Sequence, residues 1–378
     1  MRTRTRWAAL ALLGALALAA CTGTPRPKPT ALLPVTPQIG GRLAWSQRVE
    51  SVKFPLIVAV NQTASSGGVF TVAGSDGTVV ALQADTGSEL WRASVGTALS
   101  AGVGSDGRFA SVVTRDNELV TIEGGRIVWR ARLGARVATA PLVAGERVFV
   151  MSVDRVVQAF DVLDGRKLWT LQRPGEPLTL AKAGVLTAFK DTLLVGQGPR
   201  LAGVDPTPGT LRWEVAVATP RGTNEVERLA DLLAPAVRAG NVVCARAFQN
   251  AVGCVNAERG TLIWTRNVGG NEGIGADADL VVGADGSDRI TAWRAGNGDV
   301  AWTNDKLLYR DLSAPLLVGR TAVFGDVEGY VHLLAREDGN ELLRLSTDGS
   351  PIVAPPALSG KTMLVVTRSG GLFAFRPE

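Results

Sequence analysis

One histidine and three cysteines are all that this 378-residue chain offers for the commonest forms of side-chain chemistry. His332 lies in GYVHLL, a run that alternates as a strand does, and it reads as a satisfied structural histidine. Being alone, it argues against His-based metal sites and against Ser-His-Asp or Cys-His catalysis. Carboxylates are frequent, but Asp76, Asp116, Asp154 and Asp326 lie near turns and are expected to be solvated turn residues. No cluster of acidic and amide residues makes a convincing calcium cage. The residues point away from catalysis.

The cysteines have two different environments. Arg2, Arg4 and Arg6 precede an apolar run from Trp7 to Ala20, shorter than the roughly 18 residues that a spanning helix needs. A basic front and a short apolar run read as a secretory signal over residues 1–20. The run ends in LAAC, Leu18–Cys21, which matches the lipobox of bacterial lipoproteins, so Cys21 is expected to carry lipid and to become the first mature residue. Thr22 beside it resembles an outer-membrane address. Cys244 and Cys254 flank a hairpin with its turn around Gln249 and are equidistant from that residue. Facing each other across an antiparallel pair, their Cα atoms would stand about 4.5 Å apart, within disulfide range. In an oxidising compartment a Cys244–Cys254 disulfide is expected, with two buried thiols as the alternative.

From residue 22 to 38 prolines stand at 25, 27, 29, 34 and 37, which makes residues 21–39 a tether leaning to polyproline II. At about 3.1 Å per residue it would reach up to roughly 60 Å from a bilayer. Losing Arg2, Arg4 and Arg6 takes the basic residues from 40 to 37 against 35 acidic, a net charge of +2. There is no basic run or aromatic-interleaved patch, and nucleic acid is not expected as a partner.

The elements that hold these residues come from a repeat. ALQADTGSELW, from Ala81 to Trp91, returns as AFDVLDGRKLW at Ala159, VNAERGTLIW at Val255 and AWRAGNGDVAW at Ala292. Each copy is an alternating apolar run, a turn with Gly, and a second run ending in Trp, which is a β-hairpin. Trp45, Trp91, Trp129, Trp169, Trp213, Trp264 and Trp302, with Leu343 at an eighth position, are 38 to 51 residues apart, the length of a four-stranded propeller blade. The strand before each turn also occurs eight times, from GTVVAL at Gly77 to GLFAF at Gly371, but one step out of phase. Trp45 lies on a last strand with no earlier partner, and GLFAF is a third strand with no successor. Pairing them closes a ring without a long exposed edge. The fold class is therefore all-β, an eight-bladed β-propeller over residues 40–378. The tryptophans are expected to pack between neighbouring blades.

The repeat is similar to the pyrroloquinoline-quinone repeat of quinoprotein dehydrogenases, so a periplasmic quinoprotein is the enzymatic alternative. That resemblance implies a vicinal Cys–Cys pair over the quinone and long insertions; here no two cysteines are adjacent and the repeats fill the chain. No cofactor is expected.

FGDVEGYVHLLAREDG, Phe324–Gly339, with LLYRDLSAP at Leu307 and GTNEVERLADLLAP at Gly222, resembles the BamB family of propeller lipoproteins in outer-membrane β-barrel assembly. The resemblance implies a non-catalytic scaffold on the periplasmic face of the outer membrane, gripping the POTRA domains of BamA alongside other machinery subunits. Two segments carry that role by resemblance. One is PLTLAK, with Leu178 and Leu180; where the family commonly has Arg next, this chain has Ala181 and then Lys182. The other contains Glu225, Glu227, Arg228 and Asp231, with Leu233 where a second acidic residue stands in the family. Leu178 and Leu180 would equally fit alternate positions of a buried strand, and the charged loop would equally fit a solvated turn. Reversing the charges of Arg228 and Asp231 is expected to weaken partner capture while leaving the melting temperature nearly unchanged. Outer-strand edges or the propeller mouth could also receive nascent outer-membrane proteins by strand addition. A binding propeller with another partner is the third reading.

Overall fold

Eight four-stranded antiparallel sheets form a ring in the computed structural model, which describes residues 27–49, 59–63, 67–175 and 178–378. The signal segment and Cys21 lie outside these residues. Blades 1 to 7 cover residues 59–94, 104–132, 142–172, 186–216, 232–266, 275–304 and 316–346. Blade 8 takes three strands from residues 357–376 and its outer strand, Arg42–Arg48, from the N-terminal side. There Trp45 stands opposite Ala374 and Arg48 opposite Gly371, so the ring closes by pairing the two ends of the propeller.

The recurrent Trp has a geometric cause. In every outer strand one extra residue bulges just before the Trp position, for example Leu90 before Trp91 and Ile263 before Trp264. A bulge re-aims the next side chain, and here it turns the ring toward the next blade. Trp45, Trp129, Trp169, Trp264 and Trp302 each donate Nε1–H to a carbonyl 31 to 39 residues on, at Ala84, Val162, Pro206, Ala295 and Arg336, over 2.6 to 3.0 Å. The indole lies over a turn glycine of that neighbour. At Gly298 (φ +73°) a Cβ would come within 2.6 Å of the Trp264 ring. The glycine thus serves both the left-handed turn and the close approach. The apolar clusters follow the same plan. One joins Leu364 and Leu372 of blade 8 to Phe70 and Val80 of blade 1 and Val112 and Ile122 of blade 2. The core is a set of layers between blades around a central channel of about 570 Å³.

Cys244 and Cys254 stand opposite each other in blade 5, bonded, with Cα atoms 4.1 Å apart, both buried beside Trp264 and Trp293.

Two expectations need correction. Asp326 is not a solvated turn residue. It is fully buried, Arg310 donates Nε–H to its Oδ2 at 2.8 Å, and His332 Nε2 lies 2.9 Å from the same oxygen. His332 Nδ1 lies 2.7 Å from Glu341 Oε1, and Arg344 donates Nε–H to that carboxylate at 3.0 Å. Glu328 pairs with Arg310 as well. Three cations and three carboxylates balance only when His332 is protonated. Burial pulls the imidazolium down, but its two carboxylate partners outweigh burial and hold its pKa above the usual value. Burial likewise pushes Asp326 and Glu341 up, and their bonds to His332 and the arginines hold both below their usual values.

The Pro-rich tether is not free along its length. Thr30 N–H donates to Leu308 O at 3.0 Å and Gln38 N–H to Leu342 O at 2.8 Å. Arg310 donates to Thr30 O at 2.8 Å and Arg344 to Leu33 O at 3.1 Å, while Leu32 packs against the apolar cluster of blades 6 and 7. Residues 30–38 form a strap along blade 7.

Candidate partner-binding face

A four-stranded blade turns twice on each face of the ring. The face with the blade-to-blade connections also carries the turns between second and third strands; it is called the upper face here. Both segments singled out in the sequence lie on it. Leu178–Lys182 belongs to the connection from blade 3 to blade 4, and residues 217–231 form the connection from blade 4 to blade 5.

The Leu-Thr-Leu stretch is not a strand. It is a loop in which Leu178 is 36% exposed and Leu180 half-buried. The loop is held from three sides. Leu180 N–H donates to Asp231 Oδ2 at 2.7 Å, Thr179 Oγ1 donates to Val153 O at 3.0 Å, and Gly184 bridges Leu233 across the blade boundary. Arg155 NH2 stands 3.9 Å from Asp231 Oδ1. Together Arg155, Leu180, Gln197 and Asp231 line a crevice of about 50 Å³, room for ordered water and little more.

Asp231 is therefore not a solvated turn residue. Burial pushes its carboxyl above the usual range, against the opposing pull of the Leu180 N–H and Arg155. Its work is to join the two connections. Leu233, where the family has a second acidic residue, is buried. Lys182 is committed as well: its Nζ donates to Asn271 O at 2.7 Å and Glu272 Oε1 at 2.6 Å at the channel mouth.

The second loop is shaped by its own side chains. Glu227 accepts the Thr223 N–H at 2.7 Å and Asn224 Nδ2–H at 2.9 Å, and Asn224 Oδ1 accepts the Glu227 N–H at 2.9 Å. The Thr223 N–H holds the Glu227 carboxyl below its usual value. This reciprocal cap, resembling the one at helix starts, leaves Glu225 exposed and Val226 71% exposed, with Arg228 half-buried at its base. Sequence reasoning passed over Val226, Arg155 and Glu272. An apolar residue between two glutamates in a loop was a legible signal for Val226. The other two are visible only in space.

Among the described residues the arrangement has no nucleophile–base pair. It presents two exposed apolar side chains, Leu178 and Val226, on loops fixed by hydrogen bonds and flanked by charge. Preformed loops with apolar anchors and a charged surround suit protein recognition. Fold and loops together define an eight-bladed propeller with a preorganised upper face. The description "Outer membrane protein assembly factor BamB" belongs to the family model that matches residues 75–304, and the chain belongs to this BamB family. It is 35% identical over 370 residues to the BamB of Burkholderia pseudomallei, covering 96% of each chain. It is 34% identical over 379 residues to that of Bordetella pertussis, covering 97% and 96%. The crystal structure of BamB from Moraxella catarrhalis matches with a TM-score of 0.79 at 20% identity, over 89% of this chain and 99% of that one, and speaks for the fold. The family is one of assembly factors, not of dehydrogenases.

Proposed function

We propose that this outer-membrane assembly factor is a non-catalytic docking scaffold, anchored by lipid at Cys21 on the periplasmic side. Its upper face receives the POTRA domains of BamA. One observation carries the reading: the segments at 178–182 and 222–231, far apart in the chain, are joined by the Leu180–Asp231 hydrogen bond into one surface. Leu178 and Val226 supply apolar contact. Glu225 and Arg228 set orientation and on-rate, as charges flanking an interface do. Asp231 and Lys182 hold the loops in place and are positioning residues. Glu227 acts likewise within its own loop.

A tagged chain purified from detergent-solubilised outer membranes tests this. BamA is expected among the co-purifying proteins, with a loss of about tenfold for Leu178→Asp, the scale of one good interface residue. A folded, lipidated chain that brings down no BamA would point to a binding propeller with another partner.

A further inference from the structure

The strap has a direction. Thr30 sits beside Leu308 and Arg310, in the upper-face connection from blade 6 to blade 7, and beside the Asp326–Glu328 turn on that same face. Gln38 reaches Leu342 near the lower end of the outer strand Glu341–Ser346, and the chain then climbs as Arg42–Arg48 in blade 8. The strap therefore runs from the upper face down the outer edge of blade 7. Both arginines that hold it, Arg310 and Arg344, belong to the buried network through Asp326, His332 and Glu341. Arg310 is 2% exposed at its side chain. An arginine with carboxylates on one side and a backbone carbonyl on the other is a firm hold.

We infer that this strap fixes the exit of the anchor segment on the upper face, so that the membrane surface lies on the side of the Leu178–Asp231 site. This rests on the docking reading and on lipid at Cys21. Thr30 is nine residue steps from Cys21, so the exit point stands at most ~30 Å from the bilayer, about half of what a free tether to Gly40 would allow. Arg26 and Lys28 in that stretch suit an anionic headgroup surface. The lower face is about one strand length, ~20 Å, further away. A partner docked on the upper face is thus met close to the membrane, because the short anchor leaves the propeller from that face.

The test uses the full lipidated chain in phosphatidylcholine–phosphatidylglycerol vesicles carrying a headgroup-labelled acceptor lipid. A fluorophore is placed at Glu225→Cys on the upper face or Lys361→Cys on the lower. Energy transfer is expected to be about twofold or more stronger from position 225, given the strand-length difference. Inserting about twenty Gly/Ser residues between Cys21 and Lys28, which leaves the strap untouched, should erase most of that difference. Equal transfer from both faces, stronger transfer from position 361, or absence of acyl groups at Cys21 by mass spectrometry would overturn the inference. Because Glu225 lies in the proposed interface, BamA capture in detergent is measured on the unlabelled parent and on the Lys361→Cys protein. Capture lost with the transfer difference intact overturns the docking reading alone, and the reverse pattern overturns the orientation alone.

Discussion

Asp231 accepts the backbone N–H of Leu180 at 2.7 Å, and this bond joins loops from two different blade boundaries. Its carboxylate stays largely out of solvent, with Arg155 beside it. Asp231→Ala is predicted to cost about 1–3 kcal/mol in denaturant unfolding, because it leaves a buried donor without its acceptor. It should also weaken BamA capture, whereas Asp231→Asn, which keeps an acceptor oxygen, should retain most of both. Equal losses for the two variants would mean that the charge itself meets the partner. The expectation that reversing Asp231 leaves stability untouched does not survive this geometry.

The network around His332 predicts a pH dependence. The fold favours the imidazolium, so its contribution is complete below the ordinary histidine value of 6.5 and is lost as pH rises through the raised folded value. Asp326 and Glu341 behave oppositely. Their contributions are present above their ordinary values of 3.8 and 4.5 and are lost as pH falls through the lowered folded ones. Guanidinium midpoints for the parent should therefore fall toward alkaline pH relative to His332→Gln. A constant difference between the two proteins from pH 5 to 9 would contradict this.

The blade contacts predict an asymmetry among glycines. Gly298→Ala forces a side chain to φ +73° and into the Trp264 ring, whereas a Cβ at Gly296 meets nothing within 4 Å. Thermal unfolding should show a loss of about 1–3 kcal/mol for Gly298→Ala and almost none for Gly296→Ala.

The Cys244–Cys254 bond closes a ten-residue separation, for which loop-closure entropy gives about 2.5–3 kcal/mol. Cys254→Ala should lose roughly that much, or more if the cavity beside Trp264 stays open. Alkylation of both thiols in the parent without reductant would contradict the bond.

The eight blades and their closure were legible because they rest on local repetition: Trp45 without an earlier partner and Gly371–Phe375 without a successor are visible in one dimension. The site was less so. Leu-x-Leu fits a strand and a loop alike, and Lys182 finds Glu272 ninety residues away. Asp326 looks like any turn aspartate until Arg310 and the strap cover it. Proline content announces an irregular segment but not what it lies against. What escaped is what long-range packing decides.

The central claim is that the upper face meets BamA through Leu178. It is tested most directly by titrating purified POTRA domains onto the parent, Leu178→Glu and Leu163→Glu. Leu163, 63% exposed in a lower-face turn, is the matched apolar control. The account predicts unchanged affinity for Leu163→Glu and a loss of about tenfold or more for Leu178→Glu at equal stability. Equal affinities, or a loss confined to Leu163→Glu, would contradict it.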